Sequence, residues 1–150
     1  MDDGQDDVSA LVARVTEAAS AYIRGDMDRY LELIHYVRGF TLMSPIGGPA
    51  SRYEDRSEVV RASASLFNGG ECQLESLEVH AWDNTVVLAV VERQRGVVGG
   101  LPEQDWSLRV TLVFRREADD WLSVHRHADP LVNPIGPQQL AALARGDAVA

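Results

Sequence analysis

The spacing of apolar residues divides the chain into a helical first part and a β-rich second part. Apolar positions recur at helical spacing over residues 8–23, and Gly25 ends this helix. Asp26 begins a second helix. Asp55 is followed three residues later by a glutamate, which is the spacing of a capping box, so a third helix is predicted to begin there and to end at Gly69 and Gly70.

The β-rich part follows the third helix. A short strand is predicted before that helix, over residues 40–43, and a loop rich in glycine and proline follows it. Four longer strands, bounded by turn residues, are predicted at 74–81, 85–95, 107–116 and 121–129. Helices that are segregated from an antiparallel meander indicate an α+β fold.

The chain is predicted to be a single domain over residues 1–150, because it contains neither a repeat nor a linker. Residues 1–6 are polar and are expected to be disordered. Residues 133–150 form a C-terminal extension rich in proline, in which residues 138–144 have the pattern of a short helix.

Composition excludes several classes of function. The 14 basic residues are all arginines, and 23 acidic residues give a net charge of −9, which argues against a nucleic-acid partner. Without lysine, no side-chain amine can form a Schiff base. A single cysteine, an acidic N-terminus and no apolar run of about 18 residues predict a cytoplasmic, bacterial protein without a membrane partner.

Two motifs carry a resemblance to a known fold. Residues 25–28 read Gly-Asp-Met-Asp between two helices, and residues 121–127 read Trp-x-x-Val-His-x-His in the last strand. With the order of elements over residues 8–132, the chain resembles the nuclear-transport-factor-2-like fold of ketosteroid isomerases and SnoaL-like polyketide cyclases. The resemblance implies a cone-shaped α+β barrel in which three N-terminal helices pack on a curved antiparallel sheet. It also implies an apolar pocket between helices and sheet, and a homodimer through the sheet.

The residues of steroid isomerisation are missing. The resemblance aligns the isomerase tyrosine with Ala18, the aspartate base with Ser44 and the oxyanion aspartate with about Thr111. Alanine donates no hydrogen bond, and a hydroxyl group is not a base near neutral pH. Steroid isomerisation by that mechanism is therefore not expected.

The candidate catalytic residues are His125, His127 and Asp129, which alternate along one strand and so share one face. The resemblance to SnoaL-like cyclases implies that such groups move a proton next to a carbonyl, and histidine suits that task. A structural or ligand-binding role is the alternative. The same residues with Glu92 could also form a metal site, but His-x-His lacks a third ligand of defined spacing, so neither a metal nor a cofactor is predicted.

Arg109 and Glu92 are candidate ligand-binding residues. Arg109 lies on the next strand and could pair with Glu92 across the ladder. The region resembles the calcium/calmodulin-dependent kinase II association domain, which implies that arginines of these strands attract anionic ligands. Arg109 would then orient a carboxylate or enolate; the alternative is an ordinary ion pair in solvent.

Further candidates surround the expected pocket. Trp106 ends a long connection and either closes the pocket or seals the core beneath the loop. Tyr22 and Met43 are predicted pocket walls, Tyr30 lies on the apolar face of the second helix, and Ser44 could hydrogen-bond a ligand.

These observations predict a SnoaL-like pocket protein whose partner is a hydrophobic small molecule. One possibility is an enzyme of the isomerase or cyclase type that transfers a proton on a hydrophobic carbonyl compound without a cofactor. The alternative is a non-catalytic ligand-binding or dimerising association module.

Overall fold

A computed structural model describes residues 3–147, which form four helices and seven strands. The helices are α1 (Asp3–Ile23), α2 (Met27–Leu33), α3 (Arg56–Ala62) and α4 (Pro137–Arg145). The strands are β1 (His35–Met43), β2 (Ser51–Tyr53), β3 (Phe67–Trp82), β4 (Thr85–Val98), β5 (Gln104–Asp105), β6 (Leu108–Glu117) and β7 (Asp120–Pro130).

The predicted helix starts depend on two aspartate caps. The Asp26 carboxylate accepts a hydrogen bond from the backbone N–H of Arg29 at 3.1 Å, which caps α2. Asp55 caps α3 in the same way by accepting from the N–H of Ser57 at 3.0 Å. Both helices therefore begin where the sequence predicts.

The strands form one curved, unclosed sheet in the order β2-β1-β7-β6-β4-β3, and β5 pairs with β4. The predicted α+β fold, with three helices packed on a curved sheet, is confirmed. One pairing differs from a purely antiparallel sheet, because β1 runs parallel to β7. The segment containing α3 lies between β1 and the meander, and the chain enters the meander from the opposite edge.

The third helix is shorter than predicted. It ends at Ala62, a 3-10 turn covers Ala64–Leu66, and Phe67 already begins β3. Gly69 and Gly70 lie inside that strand, where the pairing with β4 is irregular. Both glycines have positive φ, so their presence marks a bulge in a strand and not the end of a helix.

The N-terminal helix begins earlier than predicted. Residues 3–6, expected to be disordered, form the first turn of α1, while residues 1 and 2 lie outside the described part. The Asp7 carboxylate accepts a hydrogen bond from the indole N–H of Trp121 at 3.0 Å and pairs with Arg116. These contacts attach the start of α1 to β6 and β7. In the C-terminal extension, α4 occupies the predicted helical segment; residues 148–150 are outside the described part.

The core lies between α1 and the inward face of the sheet. It contains residues from α1 and alternate positions of β4 and β6, among them Leu11, Val15, Val86, Leu88, Val90, Val110, Leu112 and Phe114. On β4 this buried series continues with Glu92, which is only 5% exposed. The apolar face of the sheet therefore acquires polar groups at one end, and the candidate site lies there.

Gly70 allows β3 and β4 to approach closely. A Cβ at Gly70 (φ +150°) would lie 2.3 Å from the carbonyl oxygen of Arg95, whereas a Cβ at Gly69 (φ +131°) would meet no atom within 4 Å. We expect Gly70→Ala to lower the free energy of unfolding by about 1–3 kcal/mol more than Gly69→Ala, since only the first adds a clash to the strain of a positive φ. Urea denaturation of both variants measures this, and equal losses would contradict it.

Candidate functional site

A cavity of about 520 Å³ lies between the N-terminal helices and the inward face of the sheet. Its wall is largely aliphatic and aromatic, and it includes Ile23, Tyr22, Phe40, Leu42, Leu112 and Phe114. This volume is in the range of pockets that bind small organic molecules. The polar groups on the wall therefore determine which part of a ligand is recognised.

A buried ion pair forms one part of that wall. Alternation along β4 points Glu92 inward, two residues beyond Val90, and Arg126 of β7 reaches it from the other side of β6. The Nη1 and Nη2 atoms of Arg126 donate to Oε1 and Oε2 of Glu92, each at 2.8 Å. Burial lowers the pKa of Arg126, but the Glu92 carboxylate outweighs this and the pKa is raised overall. The two charges compensate each other in a bidentate ion pair.

Two tyrosines form a second polar group. The hydroxyl oxygens of Tyr30 and Tyr36 lie 2.6 Å apart, and both residues line the cavity. Burial raises the pKa of both phenols, and it raises that of Tyr30 well above the ordinary value. Either hydroxyl can be the donor in this pair, and the one that accepts keeps its own proton available to a further acceptor in the cavity.

The loop before β6 closes another side of the cavity. Trp106 donates from its indole N–H to the carbonyl oxygen of Gly96 at 3.1 Å, and Gln94 donates from its amide to the carbonyl oxygen of Trp106 at 3.1 Å. Gln94 and Trp106 both line the cavity. Of the two roles predicted for Trp106, the position fits a pocket wall.

Five of the sequence-predicted residues meet at this cavity. Those that line it are Tyr22, Tyr30, Ser44, Glu92 and Trp106.

The predicted catalytic residues lie on the other face of the sheet. Arg126 lines the cavity between His125 and His127, so both histidines point away from it, as does Asp129. His125 instead forms a hydrogen bond of 2.7 Å through Nδ1 to Thr41 Oγ1. The histidines face outward because the pairing between β6 and β7 is irregular beside Val124, and this irregularity determines which face of β7 is inward. The expectation that these three groups gather in the pocket is therefore corrected.

Arg109 and Met43 also lie outside the cavity wall. Arg109 is paired in register with Val91, one residue from Glu92, so it points to the opposite face. Its guanidinium binds Asp129 at 2.7 and 3.0 Å in an exposed pair, and the predicted Arg109–Glu92 pair is not formed. Met43 is 41% exposed beside His127, so its predicted place in the pocket wall is also corrected.

The residues that sequence reasoning missed are Arg126, Tyr36 and Arg56, which all line the cavity. The sequence does contain a signal for Arg126, because neighbouring side chains of a strand lie on opposite faces. If His125 and His127 lie on one face of β7, Arg126 lies on the other. Which side is inward depends on the irregularity at Val124, which has no signal in the sequence. Tyr36 was missed because β1 begins at His35, five residues before the predicted strand.

No group of three histidine, cysteine, aspartate or glutamate side chains comes together as a metal site among residues 3–147. Glu92, considered as a metal ligand with the two histidines, lies on the opposite face of the sheet from them. In the same range, none of the helices combines the length and apolar composition that crossing a membrane requires.

Comparison with known proteins identifies a family relationship. A family model described as a SnoaL-like domain matches residues 11–132. No curated protein matches the chain.

Several solved structures share the fold. A proposed dehydratase of the NTF2-like family from Streptomyces avermitilis is 19% identical with a TM-score of 0.67, over 85% of this chain and 96% of that one. The CaMKII hub homology domain from Chlamydomonas reinhardtii is 16% identical with a TM-score of 0.66, over 83% and 98% of the two chains. An NTF2-like protein of unknown function in nutrient uptake from Rhodospirillum rubrum is 21% identical with a TM-score of 0.62, over 83% and 98%. At these identities the likeness is one of fold.

The buried ion pair predicts a large effect on stability. Glu92→Gln removes the counter-ion of Arg126, and an uncompensated charge in this setting costs about 3 kcal/mol of unfolding free energy. Asp129→Asn is a matched control, because it breaks the exposed pair with Arg109 and should cost less than about 1 kcal/mol. Chemical denaturation measures both, and a Glu92→Gln loss no greater than that of the control would contradict the importance of the pair.

Proposed function

The chain belongs to the SnoaL-like domain family, and we propose that its cavity binds a largely apolar carbonyl compound and transfers a proton at the carbon next to the carbonyl. The observation that carries this proposal is the placement of a buried carboxylate, Glu92, and the hydroxyl of Tyr36 on the wall of one apolar cavity. The apolar wall accounts for the body of the ligand. The two polar groups account for the reacting end.

In this proposal Glu92 is the base. Arg126 occupies one acceptor position on each carboxylate oxygen, and each oxygen has a second one, so a lone pair remains for a proton. Glu92 takes the proton from the carbon, and the electron pair of the broken C–H bond moves to the carbonyl oxygen. When the Glu92 carboxyl exchanges this proton with solvent and returns a solvent proton to the same carbon, the result is hydrogen exchange. When the ligand is an unsaturated ketone, return of the proton to the far carbon of the conjugated dienolate completes an isomerisation.

Tyr36 stabilises the enolate oxygen. Its phenol is protonated at neutral pH, because the ordinary pKa of tyrosine is about 10 and burial raises it further, so it can donate a hydrogen bond as negative charge develops. In this proposal Tyr30 is the donor in the hydrogen bond that the two hydroxyls share, and it thereby strengthens Tyr36 as a donor, because hydrogen bonds in a chain polarise one another.

The reaction is tested with 2-tetralone, an apolar ketone whose C1 protons exchange with solvent. We expect the protein to accelerate deuterium uptake at C1 in D2O by about a hundredfold over buffer, as general-base catalysis allows. Glu92→Gln should abolish the acceleration and Tyr36→Phe should remove most of it. Proton NMR follows the loss of the C1 signal, at a temperature where circular dichroism confirms that each variant is folded.

His127→Ala is the matched control, because His127 lies on the outer face and should leave the exchange rate unchanged. Loss of exchange in this variant would identify a proton carrier on that face and contradict the role of Glu92. Binding of the ketone without accelerated exchange would contradict the enzyme and leave the non-catalytic ligand-binding module.

A homodimer through the sheet is the second part of the proposal. The outer face carries a half-buried apolar strip at its centre, formed by Val87, Ala89 and Val113 on adjacent strands. Solvent contact of such a strip is unfavourable, and a second copy of the chain would cover it. A fold shared with hub domains is consistent with oligomerisation.

Sedimentation velocity tests this interface. We expect a species of twice the 16.5 kDa chain mass, and Val113→Glu should convert it to the monomer by placing a charge at the centre of the interface. Glu75→Gln, a change at the charged edge of the same face, should leave the dimer intact. A monomer for the unmodified chain at about 50 µM, a concentration at which an interface of micromolar affinity is occupied, would contradict the dimer.

A further inference from the structure

Arg56 is the arginine of the cavity wall that has no counter-ion. It lies at the start of α3, and none of its guanidinium nitrogens donates a hydrogen bond to any of residues 3–147. Its Nε atom is buried from solvent. Arg14 also has a buried, unbonded Nε, but its Nη atoms bind Asp120 and the carbonyl oxygen of Trp121. Arg56 has no such compensation.

Neither of the two acidic groups on the wall, Glu92 and Asp105, forms an ion pair with Arg56. Glu92 and Arg126 neutralise each other. The carboxylate of Asp105 is exposed, accepts a hydrogen bond from the N–H of Ser107 at 2.8 Å and forms no ion pair with Arg56. Among residues 3–147, Arg56 is therefore the arginine of the cavity wall that lacks an ion-pair partner. A partly buried charge without a partner is unfavourable, so a ligand that supplies a negative charge gains the full interaction.

One aromatic contact and one electrostatic effect relate Arg56 to the proposed reacting end. Its guanidinium carbon lies 4.8 Å from the centroid of the Tyr53 ring, a cation–π contact that uses the charge and leaves the N–H groups available. Burial raises the pKa of Tyr36, and the charges of Arg56 and Arg126 act against that rise, so both arginines lie within electrostatic reach of the phenol.

We propose that Arg56 anchors a carboxylate, and that the ligands of this cavity are apolar molecules that carry one carboxylate group. The guanidinium presents parallel N–H groups that match the two oxygens of a carboxylate. The apolar wall receives the body of the molecule, and a single free cation selects a monoanion. The inference rests on the proposed small-molecule binding and adds the class of ligand and the residue that selects it.

The experiment compares two probes of nearly identical shape, 1-naphthaleneacetate and 1-naphthaleneacetamide, by calorimetric titration of the full chain at pH 7. The acid should bind about tenfold tighter than the amide, the value of one charge-assisted hydrogen-bonded pair. Arg56→Gln should weaken acid binding by about tenfold and leave amide binding within about twofold. Arg61→Gln is the matched control, since Arg61 is an exposed arginine of the same helix that does not line the cavity.

The possible outcomes test the carboxylate site and the apolar pocket separately. Equal binding of acid and amide by the unmodified chain overturns the carboxylate site while the apolar pocket stands, and this result needs no variant. An equal loss of both probes in Arg56→Gln also overturns it, because Arg56 would then act on the shape of the cavity alone. Binding of neither probe contradicts the apolar pocket itself, and the inference with it. A similar loss of acid binding in Arg61→Gln would also overturn the carboxylate site, because the effect would then come from the net positive charge of α3 and not from a contact with Arg56.

Discussion

The ion pair between Glu92 and Arg126 is the interaction on which the rest of the site depends. Burying a charged carboxylate such as that of Glu92, a residue that is 5% exposed, is costly unless a partner compensates it, and Arg126 does so at 2.8 Å to each oxygen. The two residues belong to β4 and β7, the two neighbours of β6, so the pair holds the inward face of three adjacent strands in one arrangement. The polar end of the cavity can exist because this pair satisfies its most costly groups.

The pair also changes what the remaining groups can do. Since Arg126 is neutralised, the electrostatic character of the cavity is decided by Arg56, which sequence reasoning did not single out. Since both oxygens of Glu92 accept hydrogen bonds from Arg126, the pair orients the carboxylate on the cavity wall. The tyrosine pair then provides a neutral donor in an otherwise apolar wall. A balanced pair, an unbalanced cation and a neutral donor are three different chemical functions on one surface.

Much of the architecture was predictable from local pattern. The Asp26 and Asp55 caps, the turn at residues 83–84 and the alternation of Leu108, Val110, Leu112 and Phe114 all occur where the sequence indicates, because caps, turns and alternation depend on near neighbours. The failures have a different origin. The sequence predicts that the third helix ends at Gly69 and Gly70, because glycine commonly ends helices. In the structure the two glycines instead form a bulge in β3, and contact with β4 selects this conformation. The predicted pair of Arg109 with Glu92 failed by one residue of register, which turns a side chain to the other face.

The sequence alone determined the α+β class, the order of elements and the absence of lysine chemistry. It also supplied Glu92, Tyr22, Tyr30, Ser44 and Trp106 as candidates, which the tertiary structure brings to the cavity wall. Tertiary structure decided which face of β7 is inward, and it assigned Arg126 to the cavity and His125, His127 and Asp129 to the outer surface. The physical reason is that both faces of this strand carry polar residues, so the hydrophobic pattern does not distinguish them. Only the register with β6, shifted beside Val124, selects one, and register is a property of two strands together.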